Sequence, residues 1–285
     1  MATIAALRSE YHEMLCRGLL AYYPNSNVPN IVDRATSGGA DVGRRVSVLL
    51  GFPLAKASVP RQFLNCRFAE LTEEFIRRSL SAMEHLVPGS WIVSAKGTPP
   101  GADLFGVSRD LTELQGVLAC SPELWSALDD CGVITPDIIV ARKPEPDAVI
   151  NSAGEFVTRD EQVARFAPLR ERNQRRPILR ASISCKWTMR SDRAQNTRTE
   201  VLNLIRTCKG NALHVLVVTF EPLPNRVASI ATGADDVDCA YHVALPELVQ
   251  AVAEVGNEMY IEQLQELIEG RRLRDISDLP LDLAA

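Results

Sequence analysis

Residues 178–210 read ILRASISCKWTMRSDRAQNTRTEVLNLIRTCKG, and the change of period inside this stretch decides the fold. Up to Trp187 the pattern is that of a strand. Leu179, Ala181, Ile183, Cys185 and Trp187 fall on one face, and Arg180, Ser182, Ser184 and Lys186 on the other. A short turn with Arg190, Ser191, Asp192 and Arg193 follows. Ala194, Val201, Leu204, Ile205 and Cys208 then recur at helical spacing, with Gly210 as a stop signal. A lysine on the polar face of the strand, an Arg/Asp-rich turn and an acid on the helix, Glu200, together suggest metal-dependent chemistry on a phosphate ester.

Outward from this stretch, strands and helices alternate. Towards the C-terminus, Leu213–Phe220 reads as a buried strand ended by Glu221 and Pro222, and Asn225–Ala231 as a short helix carrying Arg226. Val237–Val243 reads as a strand, Pro246–Val255 as a helix, and Met259–Ile268 as an acidic helix before a loose tail. Towards the N-terminus, Asn151–Arg176 is polar, a hairpin or an insertion. Gly132–Arg142 (GVITPDIIVAR) is a buried strand opened by Pro136 and Asp137. Pro122–Asp130 reads as a short helix, Pro99–Asp103 as a loop and Trp91–Ser94 as a short strand. Phe63–Leu86 is an amphipathic helix with an apolar stripe of Phe68, Leu71, Phe75, Leu80 and Met83. Lys56–Gln62 is a connection broken by Pro60, and Asn25–Gly43 a glycine-rich loop containing Asp33. Ala2–Tyr23 reads as a helix ended by Pro24. The expected class is α/β, a central mixed β-sheet flanked by helices. A single domain over residues 1–285 is expected. Its catalytic core spans about 60–245, with the N-terminal helix and loop 1–59 and the C-terminal part 246–285 packed on it.

The chain has 285 residues, 46% of them hydrophobic, enough for a sizeable core. No run of eighteen apolar residues is present, so no membrane span is expected. The start, MATIAALRSEYHEML, lacks the features of a signal peptide, and a cytoplasmic location is expected. Seven cysteines are scattered without a CxxC pair, and most of them read as small core residues. Four histidines lack ligand spacing, and His214, inside ALHVLVVTF, reads as a hydrogen-bonded core imidazole. The net charge of −5 argues against nucleic acid, but its distribution does not. Between Arg165 and Arg198 ten basic residues face only Glu171 and Asp192, a patch able to bind phosphates. Taken alone, Arg170–Arg176 reads as a solvated loop; continuity with the lysine strand favours the phosphate reading.

If the strands holding Asp137 and Lys186 are neighbours, these residues meet despite 49 positions between them. A carboxylate is the ligand a hard cation such as Mg²⁺ prefers. Such an ion polarises a phosphoryl oxygen and acidifies a water, while lysine offsets the charge that develops. A second carboxylate would conveniently lie where Ser184 stands; Glu200, on the following helix, can supply it instead. Arg190 and Arg193 can each pair bidentately with guanine, and Asp192 can accept from cytosine N4. Asp192 is equally placed to cap the helix. Such a set favours a run of G·C pairs. Asp33 and Arg226 repeat the acid-plus-arginine pairing and could read one further C·G pair on each flank.

Three segments carry a resemblance: Thr135-Pro136-Asp137, Ser184-Cys185-Lys186-Trp187, and RSDRAQN from Arg190 to Asn196 leading to Glu200. Together they resemble the PD…(D/E)xK nuclease superfamily in its swapped form, where serine replaces the acid before the lysine and a helix glutamate compensates. Within it, the chain is similar to the NgoMIV-like type II restriction endonucleases. The resemblance extends over most of the chain, because Asp33, Gln62, Glu70 and Arg226 occur where that family places further DNA or metal contacts. Glu70 reads as a helix-surface or supporting carboxylate rather than a direct ligand, and Gln62 also suits a turn. The resemblance implies Mg²⁺-dependent hydrolysis of double-stranded DNA at a CCGG core read by two copies about a dimer axis, extended by the Asp33 and Arg226 pairing to GCCGGC, with a cut after the first G that leaves a four-base 5′ overhang. It also implies a homotetramer of two back-to-back dimers and a companion DNA methyltransferase acting on the same site. A repair or junction nuclease with the same core, and a DNA-binding protein with a decayed site, are the alternatives; intact Asp137, Lys186 and Glu200 count against decay.

Overall fold

A computed structural model describes residues 2–33, 38–95, 136–158, 163–175, 177–189, 213–231 and 237–285. The expected loop at 99–103, the helix at 122–130 and the segment 190–210 with Glu200 lie outside the described residues. Helix α1 spans Ile4–Gly18, α2 Gly39–Leu49 and α3 Arg61–Ala82. Strands β1 (Trp91–Ala95) and β2 (Ile138–Arg142) are followed by the single turn α4 (Asp147–Ile150) and the long strand β3 (Ile178–Lys186). Then come β4 (His214–Thr219), α5 (Pro224–Ala231), β5 (Cys239–His242), α6 (Leu245–Val255), α7 (Glu258–Glu269), β6 (Leu273–Asp275) and α8 (Leu279–Ala284).

The six strands form one sheet in chain order. β1, β2 and β3 pair antiparallel, while β3, β4, β5 and β6 pair parallel. The sheet is therefore mixed, as the alternating pattern leads one to expect, and the parallel half needs helical crossovers such as α5. The main core lies between one sheet face and the helices. Ile183, Cys185, Leu216 and Val218 point into it beside Phe68, Phe75 and Ile76 of α3. Trp187 anchors this layer, with Phe68 and Phe220 edge-on at 5.3 and 5.2 Å.

The opposite face of β3 is the one read as polar, yet Ser182 and Ser184 are buried. They pair in register with Val215 and Val217, which belong to a smaller apolar cluster with Met189, Ile230 and Val237. A central strand in this sheet is covered on both faces, so small hydroxyls are accommodated inside, while Arg180 and Lys186 reach out towards its two ends.

Four further expectations are corrected. Helix α1 stops at Gly18, ahead of Pro24, because the Asn30 side chain takes over the backbone: it donates to Leu19 O at 2.7 Å and accepts from Ala21 N at 3.3 Å. The glycine-rich segment does not remain a loop to Gly43, since α2 begins at Gly39. A Cβ on Gly43 would sit 2.4 Å from Val32 Cγ2, so glycine is what lets this helix press onto the strand of chain next to Asp33. The tail is not loose: β6 completes the sheet, and Arg8 of α1 grips both Asp275 at 2.8 Å and Glu247 at 2.6 Å. His214 is exposed rather than core, 3.8 Å from Asp238, because it opens β4 at the sheet margin.

The insertion after β2 is built around Arg170, which is buried and not part of a solvated loop. Its guanidinium donates to Asp147 at 2.9 and 2.6 Å and to the carbonyls of Val163 and Thr158. This arginine is thereby committed to holding its own segment together, and is removed from the phosphate-binding set.

Burial leaves a pH signature in α3. Burial pushes the Glu73 carboxyl up to about 7, although the Ala95 N–H, 3.2 Å away, and Arg77 pull the other way. A carboxyl raised in the folded state stabilises fully below its unfolded value and loses that stabilisation as pH rises through about 7. Glu73→Gln is expected to match the wild type near pH 4 and to exceed it by up to about 3 kcal/mol near pH 8. Urea unfolding at both pH values checks this; an equal offset at both would refute it.

Candidate active site

Antiparallel register sets Ile138 against Ile183, which places Asp137, one residue earlier, beside Ser184 on the same sheet face. The Cys185 N–H donates to Asp137 Oδ2 at 2.7 Å, so the backbone of β3 fixes how this carboxylate is turned. Lys186 Nζ lies 3.6 Å from the same oxygen. The lysine side chain is 13% exposed and the aspartate 31%, so the pair sits at the mouth of the sheet rather than inside it. Ser184, two residues before the lysine, lines the same face and is 7% exposed.

The end of β3 is held rigidly around this pair. Lys186 O accepts from Thr219 Oγ1 at 2.9 Å and from Phe220 N at 3.3 Å. The next N–H, that of Trp187, donates to Asn65 Oδ1 at 3.1 Å. Asn65 belongs to α3, and one turn further on the same helix carries Glu70. Glu70 is engaged by Arg67 at 2.5 Å and by the Cys66 thiol at 3.6 Å. Burial and the Glu70 and Asp137 carboxylates push the Cys66 thiol up, against the pull of Arg67. Gln62 is exposed in the first turn of α3.

A second constellation lies past the end of β4. Arg226 of α5 approaches Asp33 to 3.5 Å, joining the two residues read as an outer base-pair couple from opposite parts of the chain. The same guanidinium donates to Met189 O at 2.6 Å, the residue immediately before Arg190. Arg190, Ser191, Asp192, Arg193 and Glu200 lie outside the described residues. The structure thus brings together Asp137 with Ser184 and Lys186, and separately Asp33 with Arg226. Two contributors escaped the sequence reading. Asn65 gave no signal. Glu221 reads in the sequence as a strand terminator, although an acid directly after the apolar run HVLVVTF is unusual enough to mark it.

Two neighbouring strands thus deliver an aspartate and a lysine to one point at the mouth of the sheet. The comparisons with known proteins narrow this further. The family model described as NgoMIV restriction enzyme matches residues 11–285. The type II restriction enzyme NgoMIV of Neisseria gonorrhoeae is 39% identical over 279 residues, covering 97% of this chain and 97% of that enzyme. The chain therefore belongs to the NgoMIV restriction enzyme family, and by family it is a type II restriction endonuclease. Two solved structures are more distant. The type IIF restriction endonuclease Bse634I with cognate DNA shares 12% identity over 88% of this chain and 92% of that one, at a TM-score of 0.34. A PspGI–substrate DNA complex shares 12% over 77% and 78%, at 0.27. Scores this low carry no argument.

Proposed function

We propose that this enzyme hydrolyses phosphodiester bonds of double-stranded DNA with Mg²⁺ at GCCGGC, cutting after the first G to leave a four-base 5′ overhang. The observation that carries the reading is the 3.6 Å approach of Lys186 to Asp137 at the mouth of the sheet. Asp137 offers a hard oxygen donor whose orientation is set by a backbone N–H, which fits a small divalent cation. Asp137 would share the ion with Glu200, as the family resemblance implies. When bound, Mg²⁺ supplies polarisation of a phosphoryl oxygen and a more acidic water. Lys186 holds its positive charge beside the carboxylate, where it can orient the attacking oxygen or offset charge on the phosphorane. Ser184 lines the floor, and Glu70 supports the site through Cys66 and Arg67 rather than as a ligand. Base reading falls to Arg190, Ser191, Asp192 and Arg193 for the core, to Asp33 and Arg226 for the flank, and to Gln62 for a supplementary contact.

Plasmid DNA incubated with and without Mg²⁺ tests the proposal, with the product ends sequenced. Discrete bands ending at GCCGGC and only with Mg²⁺ are expected; structure-dependent nicking would point to a repair or junction nuclease, and binding without cutting to a decayed site. Glu200→Ala should be inactive, and adding Ser184→Glu is expected to restore a trace of activity by returning the acid to the strand. A fully active Glu200→Ala enzyme would remove that residue from the site.

The same reading takes residues 1–285 as one restriction-endonuclease domain that acts in the cytoplasm as a homotetramer, a dimer of dimers. A DNA methyltransferase would protect the host at the same sequence. Phe156 and Phe166, 84% and 89% exposed, offer apolar surface that such an assembly would cover. Among the described residues no helix is long and apolar enough to cross a membrane.

A further inference from the structure

Glu221, just past the end of β4, is completely buried, and its carboxylate is committed to the elements that carry base-reading residues. Oε2 accepts the Met189 N–H at 2.7 Å, and Oε1 accepts the Leu223 N–H at 3.2 Å, at the entry to α5. Arg226 lies 3.7 Å from Oε2 and donates to the Met189 carbonyl at 2.6 Å. Met189 is thus gripped on both sides, its N–H by Glu221 and its carbonyl by Arg226. Asp33 completes the set from the other flank of Arg226 at 3.5 Å. A carboxylate withdrawn from water is costly, and apolar residues of similar volume usually stabilise a core as well or better. Stability is therefore a poor reason for an acid here.

We propose that Glu221 is a positioning residue for base reading: it locks Arg226 and the backbone at Met189 into one unit, so that the outer-pair reader is held in place. This rests on the GCCGGC reading above. The groups facing Glu221 are Arg226 from α5, Asp33 from the connection before α2, and His242 of β5, whose ring nitrogen is 3.2 Å from the Glu221 carbonyl. Burial pushes the Glu221 carboxyl up to about 7, against the pull of the Met189 N–H and Arg226. Burial also lowers His242 to about 4, so the imidazole stays neutral where Glu221 titrates. The grip on Arg226 is charged above neutrality and weakens below it.

Single-turnover cleavage of two duplexes, GCCGGC and ACCGGT, measures outer-pair discrimination as a ratio from which changes in the chemical step cancel. For the wild type the ratio is expected to fall about tenfold or more between about pH 8.5 and pH 6, within the range one base contact is worth. Glu221→Gln, which keeps the shape but loses the charge, should show the low ratio at both pH values. The wild-type arm needs no variant, so it decides the matter even if Glu221→Gln folds poorly by thermal melting. Wild-type indifference to the outer pair at about pH 8.5 would overturn the GCCGGC reading and this proposal with it. Discrimination that neither pH nor Glu221→Gln alters would overturn the positioning role alone.

Discussion

Lys186→Ala is expected to cut DNA at below about one-thousandth of the wild-type rate while still binding its site specifically. The lysine is the cation beside Asp137 at 3.6 Å, where charge would build on the phosphorane. Removing a group that acts mainly in the transition state lowers the rate without a matching loss of ground-state affinity. The backbone should tolerate the change. Lys186 O is held by Thr219 and Phe220, and the following N–H by Asn65, none of which involves the lysine side chain. Lys186→Arg is also expected to be poor, because a planar guanidinium cannot place its charge where a compact ammonium does. Cleavage and gel-shift assays on the same duplex separate the two effects. Near wild-type cutting by Lys186→Ala would remove the lysine from the chemistry, and loss of binding in step with cutting would make it a DNA contact instead.

The parts of the fold that were legible carry an unbroken local pattern. Helix α3 and strand β3 were readable because their apolar residues keep one period, and β2 and β4 because each is a short continuous apolar run. The Asp137–Lys186 pair was readable too, since adjacent strands need only the right register to join residues far apart in sequence. What failed were residues whose role depends on a distant partner. Gly39 and Gly43 look like loop residues until Val32 and Leu223 are packed on them, when the missing side chains become the condition for a helix. Arg170 looks like one more cation in a basic run, and only Asp147 makes it an internal strut. The segment around β6 has too few apolar residues to announce a strand, yet Arg8, at the other end of the chain, ties it to the sheet. Glu221 belongs to the same class: its meaning lies in Met189 and Arg226.

Arg190→Ala and Arg193→Ala should each weaken specific binding by about 1–3 kcal/mol per contacted base, and Asp192→Ala should relax the choice of cytosine at one position. An arginine matches guanine O6 and N7 with two parallel hydrogen bonds, and a carboxylate accepts from cytosine N4; two arginines and one acid therefore favour consecutive G·C pairs. Under the proposed reading, two copies about a dimer axis would read CCGG. Asp33 and Arg226, 3.5 Å apart, repeat the pairing and would add one C·G pair on each flank. Because Arg226 also holds the Met189 carbonyl, the proposed flank reader would be tied by one hydrogen bond to the residue that precedes Arg190. Variants at Asp33 or Arg226 should therefore loosen the outer positions while core cleavage persists, whereas those at Arg190 or Arg193 should lose the core. A randomised-duplex library, cut with each variant and sequenced at its ends, distinguishes these outcomes position by position. Wild-type cleavage centred on A·T pairs would refute the core assignment. An unchanged outer preference in Arg226→Ala would leave the guanidinium as a strut for Met189 with no base of its own.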